Sequence, residues 1–319
     1  MPASRLEDLL RTMEPDLRRK FLRLIRQIRQ RLDVGELARL LEAGREDEIL
    51  RRIQAAFAVF GDDVNALFLA SGQATAAFIA ATMKTFFSFD QVNEGAVSAM
   101  QANRLRLIRE FMEEQRNAVR EALTEGIRRG LNPREQARFF RQSIGLTTRQ
   151  MQAVNNFRRL LESGSAEALT RELRDRRFDA TVRRSIRSGR PLTQDQIDEM
   201  TERYRERMLI YRSEVIARTE ALRAVNEGNF NAFQQAYANG TLDPSMVFRT
   251  WNTALDERVR GSHRAMHGQE RGPMEPFTSG DGYSLLYPGD PNAPGSETIQ
   301  CRCVASTRIR AASLGNNLI

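Results

Sequence analysis

The chain has 319 residues, enough for two ordinary domains and a substantial buried core. Its 49 basic residues outnumber 41 acidic ones, giving a net charge of +8, and Lys20 and Lys84 are the only lysines. Two cysteines exclude a disulfide scaffold of the secreted kind, and a composition 41% hydrophobic and 28% charged excludes a disordered chain or an integral membrane protein.

From the N-terminus, Glu7 and Asp8 stand where a signal peptide needs a basic and then an apolar stretch, so no targeting segment is expected. Leu17, Phe21, Leu24, Ile25, Ile28 and Leu32 recur at steps of three and four and predict one helical stripe. Seven basic residues and no acid lie between Arg18 and Arg31, so the opposite face is cationic. Such a face suits DNA phosphates or an acidic partner, or is simply solvated. The uncharged run from Val64 to Met83 is long enough to span a bilayer, but Asn65, Ser71, Gly72, Gln73 and Thr75 interrupt it. It predicts a helix buried in a bundle, and a membrane is not an expected partner. A second stripe, Ile108, Met112, Val119 and Leu123, predicts helix packing between Leu105 and Ile127.

Three helix starts follow from local chemistry: Asn132 with Pro133 and Glu135, Thr147 with Gln150, and Thr193 with Gln196. The last two follow similar phrases, SIGLTTRQ and SIRSGRPLTQDQ, too short to establish a repeat. Pro133 to Leu161 has the outline of a helix-turn-helix whose second helix carries Arg149, Gln152, Asn155, Asn156 and Arg159. Any two capped helices give that outline, and no aromatic platform interleaves with the arginines to stack single-stranded bases. Beyond Val215 the basic and acidic residues balance, and six of the ten prolines fall from Pro244 onward. A basic helical region is therefore followed by a neutral, loop-rich domain.

That domain holds every histidine and cysteine of the chain. His263 and His267 form H-x3-H, which on a helix puts both rings on one face. Cys301 and Cys303 form C-x-C inside ETIQCRCVAS, which reads as a strand with both thiols on one side. Two nitrogens and two sulfurs make a tetrahedral set for a structural Zn2+; the plain alternative is two half-buried thiols beside two histidines in a polar cluster. HRAMH lacks the glutamate of zinc-dependent proteases, and nothing in the spacing orients a cysteine-histidine nucleophile, so no catalytic residue is expected.

Three segments carry a resemblance: IARTEALRAVNEGNFNAF, FRTWNTALDERVRGSHRAMHGQ and YPGDPNAPGSETIQCRCV. In this order they resemble the phage Mu F-like domain of minor head, or head morphogenesis, proteins of tailed bacteriophages. IGLTTRQMQAVNNFRRLL and RDRRFDATVRRSI resemble the helical region before that domain, so the likeness runs from Gly130 to about Arg310. It implies a low-copy virion component, associated with the portal vertex and packaged genome, with no established enzymatic activity. The motif positions are Arg218, Thr219, Glu220, Asn226, Trp251, Asp256, Arg260, His263, His267, Cys301 and Cys303. Arg218 lies four residues from Glu214, Glu220 three from Arg223, Asp256 is placed to orient a ligand histidine, and Trp251 reads as a core anchor.

The expected architecture is a mainly α N-terminal region followed by a small α+β domain of few antiparallel strands with a zinc clasp. The segments are 1–129 (helical), 130–215 (helical connector) and 216–319 (Mu F-like domain). Expected partners are the portal protein, inner capsid or scaffold proteins and packaged double-stranded DNA, in a virion assembled in the host cytoplasm. Two rivals are a His/Cys-dependent enzyme or toxin-like effector acting on nucleotides or nucleic acid, and an ejected protein whose 64–83 segment enters the host envelope. The absence of an acid-base pair or phosphate loop argues against the enzyme.

Overall fold

Each helix start marked in the sequence is closed by the bonds its residues offer. Asn132 and Glu135 exchange side-chain and backbone hydrogen bonds, both at 3.0 Å. Thr147 and Gln150 do so at 3.1 and 3.2 Å, and Thr193 and Gln196 at 3.0 and 3.3 Å. These boxes open α5 (Pro133–Ser143), α6 (Thr148–Glu162) and α8 (Gln194–Ala238). The computed structural model describes residues 1–89 and 94–310. Ahead of α5 run α1 (Ala3–Arg31), α2 (Val34–Glu42), α3 (Glu46–Met83) and α4 (Glu94–Arg128), and α7 (Asp179–Ser188) precedes α8. The strands among the described residues all follow α8, so the chain is a mainly α region followed by a small α+β domain, as its composition shift implied.

The chain forms two compact units, each assembled from segments separated in sequence. One comprises Met1–Arg19, Phe60–Leu105 and Val215–Ile319; the other comprises Lys20–Val59 and Arg106–Glu214. Residues 216–319 all belong to the first, with 311–319 outside the described residues, whereas residues 1–129 contribute to both.

In the second unit, Phe21, Ile25, Ile28 and Leu32 are buried along the expected stripe, with Leu24 half-buried. Phe21 meets Phe57 and Phe111 edge-on at 6.4 Å, and those two rings stack on each other. The stripe on α4 differs from expectation. Val119 is buried as expected, but the main buried row is Leu107, Phe111, Gln115, Ala118 and Ala122, while Ile108, Met112 and Leu123 are only half-buried, because Phe111 fills the space beside Phe21. The cationic face of α1 is partly internal: Arg26 pairs with Glu206 at 2.5 Å, and Arg29 donates to the Ile144 carbonyl at 2.7 and 3.1 Å. Burial pushes Arg29 down to about 10. On α6, Arg149, Gln152, Asn156 and Arg159 are exposed along one stripe, but Asn155 is buried and cannot reach a base edge. Gly145 joins α5 to α6 at φ +90°, where a Cβ would come within 2.7 Å of Ile25.

In the first unit, two of the polar interruptions of the Val64 to Met83 run, Ser71 and Thr75, are its contacts with α8. Ser71 Oγ donates to the Val225 carbonyl at 2.6 Å, and Thr75 Oγ1 donates to Asn229 Oδ1 at 3.0 Å, both buried. Phe89 covers Gly72, and the Phe68 carbonyl lies where a Cβ on Gly228 would stand. Helix α3 is long and apolar enough by composition to cross a membrane, yet its small and hydroxyl residues serve helix packing here.

After α8, β1 (Val247–Asn252) forms the centre of an antiparallel sheet between β2 (Glu270–Arg271) and β5 (Val304–Ile309). Its register with β5 runs from Val247 opposite Ile309 to Asn252 opposite Val304. A short pair, β3 (Phe277–Thr278) and β4 (Ser284–Leu285), closes the other side of the core. Leu222 of α8, Trp251, Met266, Phe277, Leu285, Cys301, Cys303 and Ala305 make that core. Arg249 is buried beneath it, with its guanidinium on the carbonyls of Gly272, Glu275 and Leu286, tying three loop segments to β1.

Candidate metal centre

His263 sits in α9 (Gly261–Arg264), a single turn that follows Arg260. Cys301 and Cys303 lie in an extended segment just after α10 (Gly295–Thr298) and just before β5. The expected strand thus begins at Val304, one residue past the second cysteine, because ETIQ is spent on a helical turn and its reversal. The reversal is made by Gln300, a non-glycine residue at φ +57°, whose amide donates to Thr219 Oγ1 at 3.1 Å. Left-handed backbone of this kind is sustained only where surrounding bonds fix it, and here it aims both thiols at one imidazole.

His263 Nδ1 lies 3.5 Å from Cys301 Sγ and 3.4 Å from Cys303 Sγ, with all three side chains buried. The Cys303 amide donates to Cys301 Sγ at 3.4 Å. On the far side of the ring, Nε2 is 2.8 Å from the buried Glu297 carboxylate, which lies off the line of a hydrogen bond and accepts from Ser262 Oγ at 3.2 Å. Cys301 is held well below the usual thiol range by Cys303's hydrogen bond, with His263 adding to this, while Cys303 is pushed up by its bond to Cys301 and by burial. His263, Cys301 and Cys303 form a group that could hold a metal ion. A zinc held at about 2.3 Å by sulfur and 2.0–2.1 Å by nitrogen places tetrahedral N and S donors about 3.5 Å apart, which these separations match. The Glu297 carboxylate lies on the side of the ring from which an acceptor orients a ligating histidine, and a small rotation of either group would bring it onto the Nε2–H line.

His267 is not in this group. Helix α9 ends at Arg264, so the one-face spacing of H-x3-H does not apply; His267 is exposed and its Nδ1 accepts from the Thr253 amide at 3.2 Å. Asp256 does not orient a histidine either. It forms an ion pair with Arg302, between the two cysteines, and that guanidinium holds its carboxyl below the usual range.

The remaining motif positions tie α1, the proline-rich loop, the α10 turn and β5 to α8 and the residues before α9. Arg218 pairs with Glu14 at 3.0 Å. Glu220 pairs with Arg223 at 3.0 Å, and Arg223 Nε donates to the Gly289 carbonyl at 2.9 Å. Asn226 Oδ1 accepts from the Ala305 amide at 3.2 Å, fixing the start of β5 against α8. Arg260 donates to the carbonyls of Ser296, within α10, and Ile299, just after it. Trp251 is fully buried and meets His263 edge-on at 5.3 Å. Sequence reasoning missed Glu297 and Gln300. The only sequence sign of Glu297 is that it is the sole acid between Asp290 and Cys301.

The strain at Gln300 gives a testable pair. Gln300→Gly is expected to change stability by less than about 1 kcal/mol, because relief of the left-handed cost offsets glycine's extra unfolded-state freedom, whereas Gln300→Val should cost about 2 kcal/mol. Denaturant unfolding measures both; equal losses would remove the role assigned to this reversal.

No curated protein and no solved structure matches the chain. Residues 176–306 match a family model described as Phage Mu protein F like protein, a span that includes α8, the central strand, His263, both cysteines and their supporting residues. Over residues 176–306 the chain is therefore similar to the phage Mu protein F-like family.

Proposed function

We propose that this protein is a low-copy structural component of a bacteriophage head, located at the portal vertex or inner capsid surface and touching packaged DNA. The family match over residues 176–306 carries this reading. The exposed arginines of the helical region, among them Arg23 and Arg31 on α1, support contact with phosphates or an acidic partner. In this reading the protein acts by binding in head assembly or genome delivery. Mass spectrometry of purified heads tests it: the protein is expected at a small fraction of the major capsid subunit's abundance, and its absence from both assembling and mature heads would overturn the proposal.

The metal would be a zinc held by His263 Nδ1, Cys301 and Cys303, with a water or another ligand completing its four-coordinate shell and Glu297 behind the histidine. When bound, it would supply folding free energy to a domain whose sheet is only three strands wide. The thiolate, imidazole and carboxylate also stand in the order of a nucleophile, base and orienting acid, which is the one observation favouring an enzyme. Burial of both sulfurs at 2% exposure weighs against it, since no substrate atom reaches them.

A further inference from the structure

In the second unit a cleft of about 320 Å3 opens around Phe139, walled by α5, α6, α8 and the residues after α4. Four arginines line it, Arg129, Arg138, Arg158 and Arg205, against the carboxylates of Glu135, Asp198 and Glu202. Every carboxylate is already engaged. Glu135 caps α5 by accepting from the Asn132 amide, Asp198 pairs with Arg158 at 2.6 Å, and Glu202 pairs with Arg205. Arg158 has a second acid in Glu162, at 2.8 Å. Among the described residues neither Arg129 nor Arg138 forms a close ion pair; Asp198, Glu125 and Glu162 act on Arg129 only from farther away, and each of them already pairs with Arg158 or Arg128.

The remaining positive charge is crowded. The guanidinium carbons of Arg129 and Arg205 lie 5.6 and 5.5 Å from the centroid of the same Phe139 ring. Arg205 is 4% exposed, and its Nε has no hydrogen-bond partner. Burial, and then the charge of Arg158, weaken the hold of Arg129 on its proton. Guanidinium groups desolvated beside one another are stabilised by a shared anion, and their planar forks match the paired oxygens of a phosphoryl group.

We propose that this cleft binds a phosphoryl oxyanion, with Arg129 and Arg138 meeting its oxygens and Arg205 forming the buried positive floor. The site gives the DNA contact of the proposed function a location, and it rests on that reading only for the source of the phosphate. A backbone phosphate of duplex DNA and a free phosphate share this chemistry, and two probes separate them.

The test uses the full chain, its Arg129→Gln/Arg138→Gln double variant, and an Arg149→Gln/Arg159→Gln variant that removes the same charge from the exposed stripe of α6. Calorimetry with inorganic pyrophosphate and anisotropy with a labelled duplex are each run at several salt concentrations. The cleft variant is expected to weaken binding about tenfold or more, and the α6 variant less than about threefold. Loss of duplex binding assigns the site to a DNA backbone; loss of pyrophosphate binding without duplex binding assigns it to a free anion. Failure of both probes to bind the parent chain would overturn the site, as would equal weakening by the two variants. Neither result depends on finding the protein in purified heads, so failure of the cleft and failure of the virion reading are distinguishable. An unchanged melting temperature of the cleft variant without ligand shows that the fold is intact.

Discussion

Gly228→Ala is expected to destabilise the protein by about 2–3 kcal/mol, against the usual sign for such a change. In a helix interior, alanine is ordinarily better than glycine by about 1 kcal/mol. Here the added Cβ would stand 2.3 Å from the Phe68 carbonyl oxygen and 3.1 Å from its carbon, and both atoms are backbone. A flexible side chain cannot yield, so α3 and α8 must separate. Separation would stretch the buried bonds of Ser71 to Val225 and Thr75 to Asn229, at 2.6 and 3.0 Å. Gly61→Ala is the comparison. Its Cβ would meet only the Arg104 side chain, at 2.8 Å, which can swing away. Thermal unfolding of the two variants should therefore show opposite shifts, and similar shifts would mean that the helices do not approach at Gly228 as described.

The second large effect concerns the metal. One zinc per chain is expected by elemental analysis, lost in His263→Ala, Cys301→Ala and Cys303→Ala and retained in His267→Ala. Loss of a structural zinc removes a large part of the folding free energy of a small domain, so the first three variants should unfold far below the parent temperature, as should the parent in chelator. His267→Ala should shift unfolding by less than about 1 kcal/mol, since the exposed His267 ring bonds to Thr253 at the domain's edge. Zinc loss in His267→Ala equal to that in His263→Ala would restore the four-ligand site read from the sequence. Glu297→Gln gives an intermediate expectation, an affinity about 10- to 100-fold weaker with the zinc still bound at saturation.

The parts of this structure legible in the sequence are those set by local chemistry. The Asn132, Thr147 and Thr193 caps and the α1 stripe depend on residues three or four apart, and they form as expected. The scarcity of histidine and cysteine located the site correctly as a region, because C-x-C and His263 do meet. Its finer composition was not legible. His267 was assigned by a helical spacing, but the helix stops at Arg264. Glu297 supports His263 from 34 positions away, and no local spacing records such a pairing. The partner of Arg218 is similarly distant: Glu14 lies 204 residues earlier in the chain. The buried row of α4 was displaced because tertiary packing chose Phe111, a choice that periodicity alone does not make.

The assembly of the first unit from Met1–Arg19, Phe60–Leu105 and Val215–Ile319 bears on how the protein is made. Its sheet cannot close until β5 has left the ribosome, and by then α1 and α3 have long been exposed. Loop closure over such separations slows folding and leaves apolar helix faces open to wrong partners in the interval. A fragment cut at the boundaries of the family match would lack Leu10, which packs on the metal-site core, and Glu14, Ser71 and Thr75, which hold α8. The family match and the compact units therefore divide this chain at different places: residues 176–306 match the family model, while the first unit also draws on residues 1–19 and 60–105.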